Sequence, residues 1–311
     1  MPISHFLSTK DLSDAGLQAI LRDARSFVSE LGFRHDRTQT LEGRNIVLVF
    51  FEASTRTRLS FETAAHRLGA STVVFNLPGS SVEKGESIEE TLATINAMRF
   101  DAMILRHSLA MSSKDIVAHV TMPVINAGEG TISHPTQALL DASALLERLG
   151  TLQGAKVCVV GDIRHSRVAR SQANVLRRLG AEYALCAPPG LMPDANDNDY
   201  ADCERFTSID AALEWANVIS LLRIQRERIV DVSIPDVDTY REGFALTADR
   251  ARSHRDVIII HPGPVNLGVE IDATVVSMDQ SLIHRQVTHG VAVRMAVLVR
   301  VLTQHPSIIV N

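Results

Sequence analysis

Cysteine, lysine and long apolar runs are all scarce in this chain of 311 residues. The three cysteines, Cys158, Cys186 and Cys203, are odd in number and far apart, so they suit neither a disulfide framework nor a zinc cluster. We expect reduced thiols and no metal site. The longest apolar stretches have the length of strands, and the opening MPISHFLSTKDLSD contains neither a basic nor an apolar segment of a secretory signal. The expectation is a cytoplasmic protein.

The balance of charge excludes one class of partner. Lysine occurs only at Lys10, Lys84, Lys114 and Lys156, so arginine supplies nearly all of the positive charge. The formal net charge of -5 argues against general nucleic-acid binding, which requires a positive surface to displace counterions. With 45% hydrophobic residues the chain can bury a sizeable core. At roughly 150 residues per domain, two domains are the default expectation.

Short apolar runs alternate with segments of helical spacing along the whole chain. The predicted strands are 45–51, 72–76, 101–105, 123–126, 156–160, 182–186, 218–222 and 257–260. Their apolar residues are continuous rather than alternating, which is typical of strands buried on both faces. Strands that alternate with helices predict parallel sheets covered by helices.

The predicted fold class is therefore α/β, with two domains that each contain a parallel sheet flanked by helices and that are joined by interdomain helices. We place the first domain at residues 1–134 and the second at residues 150–285. The junction is a long helix that begins at Pro135 and ends before Gly150, since proline suits a first helical position and glycine a C′ position. A last helix at residues 286–305 is expected to pack back on the first domain.

Polar clusters follow six of the predicted strands. They are STRTR, Arg106-His107, 129–137, 161–167, 223–225 and 261–263. In open parallel sheets, ligands bind outside the carboxyl ends of the strands. We therefore expect all six clusters to face one cleft between the two domains.

The STRTR cluster, residues 54–58, predicts a phosphate site. If Ser54 caps a helix, the N–H groups of Thr55, Arg56 and Thr57 point outward with the positive end of the helix dipole. An ordinary cap needs one hydroxyl, whereas this cluster has three. The chain has no G-x-x-x-x-G-K-[ST] run, and GDIRHSRVARS has one glycine where a dinucleotide fingerprint has three. A small phosphorylated metabolite fits best, and no cofactor is expected.

Four motifs together resemble the signature set of aspartate carbamoyltransferase catalytic chains. These are STRTR, SSVEKGE at residues 80–86, GTISHPTQ at residues 130–137 and HPGP at residues 261–264, in the same order and over nearly the whole chain. The resemblance implies transfer of a carbamoyl group from carbamoyl phosphate to the α-amino group of L-aspartate. The products would be N-carbamoyl-L-aspartate and phosphate, in the committed step of de novo pyrimidine biosynthesis.

The resemblance also implies roles for individual residues. The carbamoyl-phosphate site would comprise Ser54, Thr55, Arg56, Thr57, Ser80, Arg106, His134 and Gln137. The aspartate site would comprise Lys84, Arg167, Arg223, Gln225, Pro262 and Gly263. The catalytic members would be Thr55, Arg56, Lys84, Arg106 and His134. Guanidinium groups suit the planar carboxylates of a dicarboxylic substrate.

Assembly and closure are further implications of the resemblance. Ser80 and Lys84 would lie on a loop that reaches a neighbouring subunit, so the smallest complete assembly would be a cyclic trimer with shared sites. Glu52 would pair with Arg167 and Arg228 to hold a closed state that excludes water. The partners remain open: such chains assemble with regulatory chains, with dihydroorotase-like chains or with neither. The HPGP form is nearer to the bacterial enzymes that assemble with dihydroorotase-like chains.

Several alternatives stay open at this point. Plain structural roles are a solvated side chain for Glu52, Lys84 and Arg223, helix capping for His134 and a turn at Pro262 and Gly263. Among enzymes, the nearest rival is an ornithine or other amino-acid carbamoyltransferase, although the chain has HPGP and no Ser-Met-Gly element. A non-catalytic assembly subunit is a rival of another class. One departure from the family is Leu267, where relatives commonly have arginine.

Overall fold

A computed structural model describes residues 5–31, 38–76, 85–224 and 236–303. The chain divides into two units, which we call unit 1 (Met1–Ser143 with Thr288–Asn311) and unit 2 (Ala144–Val287). The division falls inside two helices, α5 (Pro135–Leu149) and α10 (Ile283–Leu302). Among the helices of the described residues, none combines the length and the apolar character needed to span a membrane.

Unit 1 is built around a parallel sheet of four strands in the order β2-β1-β3-β4. Its strands are β1 (Asn45–Phe50), β2 (Ser71–Asn76), β3 (Ala102–His107) and β4 (Val124–Glu129). Its helices are α1 (Asp14–Leu31), α2 (Thr55–Arg67), α3 (Ile88–Ala97) and α4 (Ser113–Val117), with parts of α5 and α10 and a 3-10 turn at Thr9–Asp11.

Strand β1, inside the sheet of unit 1, is buried on both faces. Successive side chains of a strand point to opposite faces, so Val47 and Val49 lie on one face of β1 while Ile46 and Leu48 lie on the other. All four are at most 2% exposed. One face packs in a core with α3 and α4 residues such as Leu92. Burial on both faces explains why the apolar runs in the sequence are continuous.

Unit 2 contains a parallel sheet of five strands in the order β7-β6-β5-β8-β9. Its strands are β5 (Lys156–Val160), β6 (Glu182–Cys186), β7 (Glu204–Phe206), β8 (Val218–Leu221) and β9 (Ile258–Ile260). Its helices are α6 (Arg167–Arg178), α7 (Ile209–Trp215), α8 (Val237–Phe244) and α9 (Ala248–Ser253), with 3-10 turns at Pro189–Leu191, Asn198–Tyr200 and Val275–Ser277.

The predicted fold class is confirmed, because both units have a parallel sheet flanked by helices. Every strand expected from the sequence is present, but β3 extends two residues further than predicted and so includes Arg106 and His107, and β4 extends three residues further, to Glu129. The sequence did not predict β7. This edge strand has three residues, of which Glu204 is exposed, so it lacks the apolar run that marks a buried strand.

Three helix ends follow the rules of local capping chemistry. The Ser87 hydroxyl accepts a hydrogen bond from the backbone N–H of Glu90 at 3.1 Å, and the Glu90 carboxylate accepts one from the N–H of Ser87 at 3.0 Å, which completes a capping box for α3. Pro135 begins α5, and Gly150 follows it with a φ of 78°. That left-handed conformation favours glycine.

Gly161, directly after β5, lies close to Leu222, the residue that follows β8. Its φ is 123°, and an added Cβ would lie 2.7 Å from the carbonyl oxygen of Leu222, whereas Gly154 has a φ of 73° and open space around it. We expect Gly154→Ala to cost about 1 kcal/mol of unfolding free energy for backbone strain alone, and Gly161→Ala about 3 kcal/mol or more because the backbone must also move. Urea unfolding followed by the fluorescence of Trp215, the one tryptophan, measures both. An equal loss of unfolding free energy in the two variants would contradict the close approach of Gly161 to Leu222.

Candidate active site

The carboxyl ends of three adjacent strands meet in unit 1. After β1, the backbone N–H of Phe51 donates a hydrogen bond to the carbonyl oxygen of Arg106 in β3 at 2.9 Å. After β4, the N–H of Gly130 donates to the carbonyl oxygen of His107 at 2.8 Å. These bonds hold together the segments that contain most of the residues expected to bind phosphate.

Arg106 is the central charged group of this edge. It is only 8% exposed, and its Nη2 lies 3.0 Å from Glu52 Oε1 while its Nη1 donates to the carbonyl oxygen of Ala127 at 3.3 Å. A buried guanidinium requires such partners, because its charge has lost the solvation of water. The pairing of Glu52 with Arg106 was not expected from the sequence, which assigned Glu52 to Arg167 and Arg228.

The N-cap position of α2 lies two residues after Glu52. Ser54 occupies the N-cap position in an extended conformation, but its side chain makes no capping hydrogen bond. The hydroxyl therefore does not serve the helix as the sequence suggested. Thr55 and Arg56 are exposed and Thr57 is 7% exposed. The first N–H groups of a helix have no intrahelical acceptor and lie at the positive end of its dipole, so this terminus suits an anion.

His134 and Gln137 stand at the start of α5, just beyond β4. His134 is 5% exposed, and its carbonyl oxygen accepts the N–H of Gln137 at 3.1 Å. The side-chain nitrogen of Gln137 donates to Asp141 Oδ1 at 2.8 Å, one turn further along the helix. Asp141 is fully buried, and nothing in the sequence motif pointed to it.

A second buried network supports the ends of β3 and β4. His107 Nδ1 accepts the backbone N–H of Leu109 at 3.3 Å, so the neutral ring carries its proton on Nε2 and donates it to Ser113 Oγ at 3.0 Å. Glu129 Oε1 accepts the N–H of Ser113 at 3.0 Å. Because His107 is a donor here, it does not activate Ser113 as a nucleophile. We interpret this network as structural.

A further arginine, Arg294 of α10, is buried behind α2. Its Nη1 donates to Ser60 Oγ at 2.8 Å and to the carbonyl oxygen of Gly290 at 3.0 Å, and its guanidinium lies over the Phe61 ring at 5.0 Å from the centroid. An added Cβ on Gly290 would lie 2.7 Å from the same nitrogen, so glycine makes room for it. No pattern in the sequence pointed to this arginine, apart from the small residue one turn earlier.

The charge of Arg294 is set by its surroundings. The pKa of Arg294 is lowered to about 9, chiefly by burial and then by the nearby positive charge of Arg106, while the negative charge of Asp141 acts in the opposite direction. With a pKa of about 9 the group is still a cation at neutral pH. Unit 1 thus encloses two guanidinium groups, with Glu52 and Asp141 as acidic neighbours.

The predicted aspartate-binding residues of unit 2 follow β5, β8 and β9, which are adjacent strands. Arg167 is the first residue of α6 and is 7% exposed, and the preceding Ser166 caps the helix by accepting the N–H of Ala169 at 3.1 Å. Arg223 lies two residues beyond β8 and is partly exposed. Parallel order therefore brings these positions to one edge of the sheet.

The turn after β9 is held by a buried pair. His261 Nε2 lies 3.2 Å from Glu270 Oε1, both side chains being 0% exposed, and His261 Nδ1 accepts the N–H of Gly263 at 2.8 Å. The N–H of His261 donates to Gln286 Oε1 at 2.9 Å. These contacts fix the backbone of Pro262 and Gly263. Leu267 lies beyond them and is 55% exposed.

The structure therefore places the predicted site residues in three groups. Unit 1 holds Glu52, Ser54, Thr55, Arg56, Thr57, Arg106, His134 and Gln137. Unit 2 holds Arg167, Arg223, Pro262 and Gly263. Ser80, Lys84, Gln225 and Arg228 lie outside the described residues. In the part of the chain that the structure describes, no three His, Cys, Asp or Glu side chains are grouped so as to hold a metal ion.

Comparison with known families decides where the chain belongs. The model of the aspartate/ornithine carbamoyltransferase carbamoyl-P binding domain matches residues 4–147, and the model of the Asp/Orn binding domain of the same family matches residues 153–301. The chain is an aspartate/ornithine carbamoyltransferase family member. The two matches together span nearly all of the sequence.

Two relatives are similar to this carbamoyltransferase over nearly their full length. The chain is 45% identical over 299 residues to the aspartate carbamoyltransferase catalytic subunit of Thermobifida fusca, covering 95% of this chain and 94% of that one. It is 44% identical over 295 residues to the aspartate carbamoyltransferase catalytic subunit of Gemmatimonas aurantiaca, covering 94% of this chain and 91% of that one. The resemblance to aspartate carbamoyltransferase catalytic chains is thereby confirmed.

Solved structures of aspartate transcarbamoylases are also similar to this chain in fold. The catalytic subunit of aspartate transcarbamoylase from M. jannaschii superposes with a TM-score of 0.86 at 31% identity, over 97% of this chain and 99% of that one. The Trypanosoma cruzi aspartate transcarbamoylase in complex with N-(phosphonacetyl)-L-aspartic acid gives 0.85 at 27% identity, over 95% of each chain.

Removal of the buried Arg294 charge should destabilise unit 1. Arg294→Met leaves Asp141 enclosed without its nearby cation and deprives Ser60 and Gly290 of a donor, so we expect a loss of about 3–5 kcal/mol in unfolding free energy. Arg44→Met is the control, because Arg44 pairs with Asp101 on the surface of the same unit at 49% side-chain exposure. We expect that control to cost at most about 1 kcal/mol.

Both variants are measured by denaturant unfolding followed by circular dichroism. An Arg294→Met protein as stable as the wild type would show that the buried charge contributes nothing to folding.

Proposed function

We propose that the protein is an aspartate carbamoyltransferase, which converts carbamoyl phosphate and L-aspartate to N-carbamoyl-L-aspartate and phosphate. The proposal rests chiefly on the edge of unit 1 where the buried Arg106 lies 3.0 Å from Glu52, just before the N-terminus of α2. It is supported by the names of the relatives and by the Trypanosoma cruzi aspartate transcarbamoylase in complex with carbamoyl phosphate and aspartate, which has a TM-score of 0.84 to this chain.

Phosphate binding is assigned to the start of α2. The N–H groups and hydroxyls of Ser54, Thr55 and Thr57, with the guanidinium of Arg56, surround the positive end of the helix dipole. That combination of donors suits the oxygens of a phosphate group. Ser80, on the segment that follows β2, is proposed to add a further hydroxyl from a neighbouring subunit.

Activation of the carbonyl group is assigned to Arg106, Thr55 and His134. When the aspartate nitrogen attacks the carbamoyl carbon, a C–N bond forms and the carbonyl oxygen becomes an oxyanion. Donors aimed at that oxygen stabilise it, with a typical value of about 3 kcal/mol for each contact in other enzymes. Arg106 is also assigned to the phosphate, so that one buried cation serves both the oxyanion and the leaving group.

Collapse of the tetrahedral intermediate breaks the bond between the carbamoyl carbon and the phosphate oxygen. The electron pair leaves with phosphate, which also accepts the proton lost by the attacking amine. No protein base is required by this scheme, because phosphate is a sufficient acceptor. Holding the two substrates as neighbours supplies much of the acceleration.

Selection of aspartate is assigned to the arginines of unit 2. Arg167 and Arg223 offer planar donors to the two carboxylates, with Lys84 and Gln225 as additional donors and the backbone of Pro262 and Gly263 closing the pocket. A cationic side chain such as that of ornithine would be repelled by the same guanidinium groups. This argument separates the aspartate from the ornithine activity of the family.

Assembly and pathway complete the proposal. A trimer with shared sites follows if Lys84 and Ser80 act in the adjacent subunit, and the reaction is then the committed step of pyrimidine biosynthesis in the cytoplasm. Dihydroorotase-like or regulatory chains are candidate further partners.

The decisive assay offers carbamoyl phosphate with either aspartate or ornithine and measures the carbamoylated product. We expect turnover of aspartate and none of ornithine. Arg106→Ala should abolish turnover while circular dichroism stays unchanged, because the oxyanion and phosphate lose their shared cation. Arg44→Ala, on the surface of unit 1, should leave turnover as in the wild type. Ornithine turnover without aspartate turnover would refute the assignment.

Shared sites predict complementation between two inactive variants. Lys84→Ala and Arg106→Ala are each expected to be inactive alone. In a cyclic trimer, a hybrid of the two has one site that receives Arg106 from one chain and Lys84 from its neighbour. After joint refolding of equal amounts we expect about a quarter of wild-type activity, since about three quarters of random trimers are hybrids with one intact site in three.

Native mass measurement of the same mixture checks the stoichiometry. A mixture that stays inactive although hybrid trimers are present would mean that each chain builds its own site.

A further inference from the structure

Gln137 and Asp141 form a buried pair on the first two turns of α5. Gln137 Nε2 donates to Asp141 Oδ1 at 2.8 Å, and the two side chains are 7% and 0% exposed. Four residues apart, they lie on the same face of the helix. The contact is therefore short, enclosed and formed within a single rigid element.

The chemistry of the pair fixes which end of the amide faces inward. An ionised carboxylate only accepts hydrogen bonds, whereas an amide has one donating and one accepting end. Gln137 consequently satisfies Asp141 only with its nitrogen. Its oxygen, Oε1, accepts no hydrogen bond within the described residues and so keeps its capacity to accept one from a ligand.

Buried charge near Asp141 explains how a carboxylate is tolerated there. The guanidinium of Arg294 is close enough for the negative charge of Asp141 to raise its pKa, and the positive charge of Arg106 lowers the pKa of the same arginine. A carboxylate enclosed in protein requires such a counter-charge or strong donors. Asp141 has both, because Gln137 supplies a donor and Arg294 a cation.

We propose that Asp141 is a positioning residue that turns the Gln137 carbonyl oxygen toward the substrate, so that the site prefers an acyl phosphate whose carbonyl substituent donates a hydrogen bond. The inference rests on the proposed function. It deepens that function by assigning part of the recognition of the carbamoyl NH2 group to a residue that does not touch the substrate. A methyl group in the same place, as in acetyl phosphate, has no proton to give to Oε1.

The test compares carbamoyl phosphate with acetyl phosphate in three variants. Asp141→Leu cannot accept from Gln137, whereas Asp141→Asn still offers an oxygen but can also donate. Ser143→Ala is the matched control, since Ser143 lies on the same helix and makes a different buried contact, with His289 Nδ1 at 2.8 Å. Calorimetric titrations with carbamoyl phosphate, acetyl phosphate and inorganic phosphate give three dissociation constants for each protein.

The expected result is a change in selectivity rather than in phosphate affinity. Asp141→Leu should reduce the preference for carbamoyl over acetyl phosphate about fivefold, the value of one hydrogen bond, with inorganic phosphate bound as in the wild type. Asp141→Asn should lie between Asp141→Leu and the wild type. Ser143→Ala should lower thermal stability and leave the preference unchanged.

Three results would overturn the inference. The first is a wild type with no preference for carbamoyl over acetyl phosphate. The second is an unchanged preference in Asp141→Leu, and the third is a loss of preference in Ser143→Ala equal to that in Asp141→Leu. A wild type that binds carbamoyl phosphate preferentially but does not carbamoylate aspartate would refute the proposed function and leave the role of Asp141 intact.

A measurement on the wild type applies if Asp141→Leu does not fold. The side-chain NH2 of Gln137, assigned in a ¹H–¹⁵N spectrum by comparison with Gln137→Ala, should be protected from solvent exchange before any ligand is added. Fast exchange of these protons would refute the inward orientation.

Discussion

The buried ion pair between Arg106 and Glu52 is the interaction on which the site of unit 1 depends. A guanidinium at 8% exposure has lost most of its hydration and is tolerated only with close acceptors. Glu52 supplies one from the segment after β1, and the Ala127 carbonyl supplies another from β4. The pairing therefore requires β1, β3 and β4 to be in register. Correct pairing of these strands therefore also places the cation.

Other buried polar groups extend this arrangement into the helices. Arg294 joins α10 to α2 through Ser60 and Phe61, and Asp141 lies near it on α5. The elements that bear the proposed phosphate and carbamoyl donors are thereby held against one another by charge as well as by apolar packing. In an interior of low dielectric constant such contacts are strong, and their loss is correspondingly costly.

Much of the fold was predictable from the sequence, and the exceptions have identifiable causes. Strands such as β5 and β6 were predicted because their apolar runs are continuous, whereas β7 was missed because an exposed edge strand of three residues has no such run. Helix ends with local chemistry, such as the Ser87 capping box, were also predictable. Ser54 occupies a cap position without using its side chain, which local spacing does not reveal.

The sequence by itself determined the order of strands and helices, the family, and which polar residues follow each strand, because these depend on periodicity and on motifs of neighbouring residues. Only the tertiary structure decided the partners of those residues. Glu52 pairs with Arg106, which no motif predicted, Asp141 was not singled out and binds Gln137, and Arg294 is 234 residues from Ser60 in the chain. Such contacts arise from packing between distant segments, where the need to satisfy a buried charge selects the partner, and no local pattern encodes that choice.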